Sequence, residues 1–174
     1  MKNGIIYLVL LFLSFLISCD TTKFPIDAHP QIKINKNYFG TWKIKNKKDK
    51  DTYIVIKRDD YNYLILIKHS KEQKPDSMNA FVSKINDILF LNINNISDTT
   101  EGYFFGKIID INKNNNKIKY SLVKDSTLKY LKNPDEIRQR IKENINNPTF
   151  YSDTAYFKKI SIILISISHF LYAV

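Results

Sequence analysis

Residues 52–69 read TYIVIKRDDYNYLILIKH, two apolar runs on either side of Arg58-Asp59-Asp60. Tyr, Ile, Val and Leu fill both runs, which is strand composition, and the two aspartates are turn residues. So short a break leaves no room for a helical crossover, so the runs pair antiparallel. The same alternation of strand and turn extends in both directions. It predicts strands at Tyr38–Lys45, Thr52–Arg58, Tyr61–His69, Met78–Ile85, Ile88–Ile93, Gly102–Ile111 and Lys117–Lys124, with Asn86-Asp87 and Asn112 to Asn116 as further turns. The expected fold is mainly β, an antiparallel up-and-down meander. Ile118, Tyr120 and Leu122 alternate with Lys117, Lys119 and Ser121, giving one buried and one wet face. Tyr63 to Ile67 and Ile88 to Leu91 are apolar on both faces, so their outer sides need a cover.

A helix is available for that purpose near 134–145. Asn133 can cap it, Pro134 suits its first turn, and Asp135 and Glu136 complement the positive end of the dipole. Ile137, Ile141 and Ile145 form one apolar stripe before Asn146-Asn147-Pro148 stops the run. Packing on the sheet is the first reading, and contact with anionic lipid the alternative. The tail 160–174 carries no charge other than a possible one on His169. Its alternation of Ile163, Ile165 and Ile167 with Leu164, Ser166 and Ser168 suits a closing strand. A membrane-dipping or partner-binding segment and a reading-frame artefact are the alternatives.

The chain of 174 residues has one domain's length and enough apolar residues (44%) for a core. Four glycines and one cysteine exclude collagen, disulfide scaffolds and cysteine-rich zinc folds. The net charge of +10 comes from 24 Lys and only 3 Arg, in a chain that also has 27 Ile and 18 Asn. AT-rich codons produce that bias unaided, and lysine spread through turns reads as solvated surface rather than a nucleic-acid footprint. Attraction to anionic headgroups or polysaccharide is the alternative reading of the charge.

Met1-Lys2-Asn3 supplies a positive start, and Ile5 to Ile17 is an apolar run of 13 residues, too short to span a bilayer comfortably and suited to a signal-peptide core. It ends in Leu16-Ile17-Ser18-Cys19. This stretch resembles the lipobox of bacterial lipoproteins, which implies removal of residues 1–18 as a signal peptide and acylation, palmitate-type, of Cys19. More than one acyl chain gives stable membrane anchoring without a transmembrane helix. Residues 19–35, with Pro25, Pro30 and no clear periodicity, read as a lipidated tether. The resemblance implies a cell-envelope location, the outer membrane of a Gram-negative bacterium, with the face left open.

Gly40-Thr41-Trp42 at the start of the first strand resembles the lipocalin Gly-X-Trp signature, and the arrangement as a whole is similar to small lipocalin-like lipoproteins of Bacteroidota. The resemblance implies a barrel of about seven to eight strands over 36–159, with Gly40 and Trp42 in structural roles. In that family the tryptophan lies across the closed end of the barrel under a basic residue from near the last strand. Here the only arginines are Arg58, Arg138 and Arg140, which leaves the cover of Trp42 unassigned. As a bland alternative, Trp42 is a large core residue. Such a barrel either holds one small apolar ligand or is filled by its own side chains.

His29, His69 and His169 have no second histidine or carboxylate at helical spacing, so no metal or other cofactor is expected. Gly102 and Gly106 suit a bulge or close packing better than a phosphate loop, and no nucleophile elbow occurs, so no enzyme is expected. Asp, then Ser or Thr, then a small or aliphatic residue occurs five times, against about 0.6 expected by chance, at Thr21, Ser77, Thr99, Ser126 and Thr154. The pattern resembles the O-glycosylation motif of exported Bacteroidota proteins; ordinary turn chemistry is the competing explanation. The expected function is a membrane-anchored, non-catalytic binding domain for a small apolar ligand or an envelope partner. The alternative is a structural or accessory subunit of an envelope complex, with the tail as docking element.

Overall fold

The computed structural model describes residues 21–45, 51–70, 74–98, 102–112 and 116–161. The leader, Cys19, Thr99 and the tail from 162 onward lie outside the described residues. Among the described residues eight strands form the sheet: β1 Gly40–Ile44, β2 Thr52–Lys57, β3 Asn62–Lys68, β4 Asp76–Ile85, β5 Ile88–Asn95, β6 Tyr103–Asn112, β7 Lys117–Leu122 and β8 Ala155–Ser161. Each pairs antiparallel with its neighbour in sequence, and β8 pairs with β1, so the meander closes into a lipocalin-like barrel without free edges. The first seven strands lie close to their predicted positions. The eighth starts at Ala155, ahead of the 160–174 tail that the sequence suggested for this role.

The turns follow from their residues. Asn86 and Asp87 sit at φ of 47° and 67°, the left-handed pair that a two-residue hairpin needs between Ile85 and Ile88. At the hairpin between β2 and β3, Asp59 Oδ1 accepts from the backbone N–H groups of Tyr61 and Asn62, both at 2.8 Å. A carboxylate thus serves the donors that the ladder leaves unpaired.

One helix, α1 (Pro134–Glu143), lies among the described residues, in the connection between β7 and β8. Asn133 caps it by accepting from Glu136 N at 2.9 Å, and Glu136 in turn accepts from Lys132 N at 2.8 Å. Its stripe of Ile137 and Ile141, continued by Ile145 just beyond the helix end, is buried against the outside of the barrel wall. There it meets Ile85 of β4, Phe90 of β5 and Phe105 of β6, together with Leu128 and Phe150. A buried core thus sits outside the barrel, and it explains why β5 is apolar on both faces. The outer residues of β3 differ: Leu64 and Leu66 pair with Ile56 and Ile54 of β2 and stay half-buried, away from the helix.

Residues 21–35 correct the expectation of a tether. Thr22 forms a two-way bridge with Tyr103 (N to O 2.9 and 2.6 Å), and Ile26 is 1% exposed in the outer core. Ile26 N donates to Asn92 Oδ1 at 2.8 Å, and the same buried amide donates to Ser83 Oγ at 2.8 Å. Asp27 pairs with Arg138 of α1. Further on, Ile34 N donates to Asp60 O at 3.0 Å, and the chain turns through a 3-10 segment, Lys36–Tyr38, into β1. This stretch is a strap because Phe24, Ile26, Ile32 and Ile34 each bury apolar surface on the barrel.

Candidate functional site

The inward residues of the barrel surround a cavity of about 350 Å3. Strand alternation places Trp42 and Ile44, Tyr53 and Val55, Tyr63, Ile65 and Ile67, and their counterparts on the later strands along its wall. No lining residue carries a charge. The polar groups are four tyrosine hydroxyls, of Tyr38, Tyr53, Tyr63 and Tyr120, and the indole N–H of Trp42. Such a wall favours apolar contents with few polar contacts.

The closed end is built by the strap and the 3-10 segment. Tyr63, 2% exposed, accepts from Asn35 N at 2.6 Å and meets the rings of Tyr38 and Phe39 edge-on at 5.8 and 6.1 Å. Trp42, 4% exposed, donates its indole N–H to Tyr38 O at 2.9 Å. The ammonium of Lys159, on β8, lies 5.1 Å from the Trp42 ring centroid and donates to Asn37 O at 3.0 Å. The basic cover of Trp42 is therefore a lysine of the last strand. Gly40 stands at φ 133° where the chain enters β1, a conformation that L side chains rarely adopt.

On the strands flanking β1, Tyr120 stacks on Phe157 at 5.0 Å, and Tyr53, the β2 partner of Trp42, meets the same phenylalanine edge-on at 5.0 Å. Gly106 makes room for this, since a Cβ there would stand 3.3 Å from the Tyr120 ring. Burial pushes the Tyr63 hydroxyl up to about 12, against the opposing effect of the Asn35 hydrogen bond. It pushes Tyr38 and Tyr120 up as well. All three are neutral donors at ordinary pH. The Trp42 N–H already has a backbone acceptor, whereas Tyr38 and Tyr120 have no hydrogen-bond partner for their hydroxyls among the described residues.

The other sequence candidates are scattered. Ser77 lies within β4, half-buried; Ser126 is exposed in the 3-10 turn Ser126–Tyr130; Thr154 is exposed with its hydroxyl 3.1 Å from Ser121 Oγ; Thr21 precedes the Tyr103 bridge. Thr99 and Cys19 lie outside the described residues. Gly102 adopts φ +73° where the strap crosses it, so close packing rather than a bulge explains it. His69 stands between Asp51 (3.1 Å) and Asp76 (3.0 Å), contacts across neighbouring strand ends that helical spacing does not reveal. Among the described residues, no group of three His, Cys, Asp or Glu side chains is arranged so that it could hold a metal ion. Set against protein-family models, curated proteins and solved structures, the chain matches none.

Proposed function

We propose that this protein is a lipid-anchored envelope lipoprotein whose barrel binds a small apolar molecule. The cavity carries this reading: about 350 Å3 enclosed by aliphatic and aromatic side chains without a charge. At roughly 30 Å3 per atom-sized group, it takes on the order of a dozen non-hydrogen atoms. At roughly 0.6 kcal/mol per atom, that corresponds to binding in the micromolar range. The reading is binding, carried by the shape and apolar lining of the cavity. Anchoring rests on the basic start, the apolar run and Leu16-Ile17-Ser18-Cys19.

Native mass spectrometry on protein purified from envelope membranes without added lipid tests the reading. A stoichiometric mass that organic solvent strips away is expected; a bare polypeptide, acylated or not, that also fails to take up apolar probes sinks the carrier function. For the anchor, Cys19→Ala should leave the chain in the aqueous phase of a detergent partition or as an uncleaved precursor. Unchanged partitioning into detergent would overturn it.

A second reading, an accessory subunit of an envelope complex, is favoured by one observation. Ile54, Ile56, Leu64 and Leu66 form a half-buried aliphatic quartet on the outer wall of β2 and β3, outside both buried clusters among the described residues.

A further inference from the structure

Resting on the reading of the barrel as a carrier, we propose that its ligand is an uncharged molecule bearing a hydrogen-bond acceptor, a ketone, ester or alcohol, held by the hydroxyls of Tyr38 and Tyr120, and that ionised carboxylates are excluded. Two observations meet here. Among the described residues the wall holds no cation, and the ammonium at the closed end, that of Lys159, is committed to the Trp42 ring and Asn37 O. An ionised headgroup would enter an apolar cavity without a counter-charge, at a desolvation cost that nothing repays. Meanwhile Tyr38 and Tyr120, both half-buried, bring two O–H donors to the wall with no acceptor among the described residues. A pure hydrocarbon would leave both unpaired, whereas a carbonyl or hydroxyl oxygen would satisfy one or both. Of the other polar groups, the Trp42 N–H is donated to Tyr38 O, while Tyr63, whose oxygen receives Asn35 N–H, keeps its own O–H as a further donor at the closed end.

Trp42 is the only tryptophan and lines the cavity, so its fluorescence reports occupancy directly. The experiment uses the full acylated chain in phosphatidylcholine vesicles at pH 8, with 1-naphthylamine, uncharged at that pH and small enough for the cavity, as an acceptor of energy from Trp42. Undecan-2-one, undecane and undecanoate then compete for the cavity. The ketone should displace the probe at concentrations severalfold lower than the alkane and at least tenfold lower than the carboxylate. In Tyr38→Phe and Tyr120→Phe the ketone should lose its advantage over the alkane while alkane binding persists, which shows that the variants remain folded. Equal competition by undecanoate overturns the exclusion of charge. A ketone no better than the alkane in the native chain, or an advantage that survives both substitutions together, overturns the role of the hydroxyls. If the probe draws no energy from Trp42 and no competitor alters its emission, the carrier reading fails, and this proposal with it.

Discussion

Tyr63 joins three parts of the closed end, since its ring packs between Tyr38 and Phe39 and its oxygen receives the N–H of Asn35. Because burial raises this hydroxyl from 10.0 to about 12, its contribution to stability is complete below pH 10 and is lost as the pH climbs toward 12. Urea titrations between pH 9 and 12 should therefore show a falling midpoint. Tyr63→Phe should make that fall shallower, at a cost of about 1 kcal/mol near neutrality for the lost acceptor. A slope unchanged by the substitution would place the alkaline loss elsewhere, on Tyr38, Tyr120 or Tyr151, which burial also raises. Gly102 poses the opposite problem. At φ +73°, with a Cβ position well inside contact distance of the Thr22 carbonyl, it admits no side chain without moving the strap. Gly102→Ala should cost about 1–3 kcal/mol and speed amide exchange at Thr22 and Ile26 ahead of the barrel strands. Uniform exchange across the whole molecule would contradict a locally held strap.

Among the elements, α1 depends most plainly on burial: Ile137 and Ile141 are 0% exposed in the outer core, so truncating either to Ala should cost about 2–5 kcal/mol in chemical denaturation. Arg140 ties the helix to Asp125, whose carboxyl is pushed up by desolvation but more strongly held down by Thr127 and by that guanidinium. With a folded value below the ordinary 3.8, the stabilisation is present above about pH 4 and disappears as the pH falls further. Asp125→Asn should flatten the acid limb of stability against pH; an unaltered limb would show that the pair contributes nothing. On β8, Lys158 stands directly opposite both Lys43 and Lys117, and none of the three forms an ion pair among the described residues. Lys158→Glu should therefore stabilise the barrel by a few tenths to about 1 kcal/mol, an effect that 1 M salt erases. Strands and helix were legible because each signal is local: alternation, Asx turns, and a cap before a stripe spaced by four. The strap was not, since Phe24, Ile26, Ile32 and Ile34 are isolated apolar residues among prolines and lysines, and only the finished wall gives them a surface. The cover of Trp42 was sought as an arginine, and the chain uses Lys159. Nor does composition separate a filled barrel from a hollow one. Space remains because the aromatic rings lie against one another and against Gly106 rather than pointing across the lumen.

At the scale of the whole molecule, the barrel is clasped from outside by the helix and strap while its interior is left partly unfilled, so occupancy should couple to stability. Ligand at one hundred times its Kd adds about 2.7 kcal/mol, and for a domain of this size that raises the melting temperature by roughly 5–10 °C. Thermal scans with and without undecan-2-one measure it, and no shift at saturating probe occupancy would contradict binding to the folded state. The two ends of the strap also fix a direction. It is pinned at Thr22 beside the first residue of β6, the rim at which β5 ends, and it returns to the other end of the barrel to form the plug beneath Trp42. Thr22 follows Cys19 by three positions, with Asp20 and Thr21 between them, at most about 10 Å of extended chain. With acyl chains at Cys19 as proposed, the molecule hangs from the bilayer by its rim like a bell from a short hook, its plugged crown turned away from the lipid.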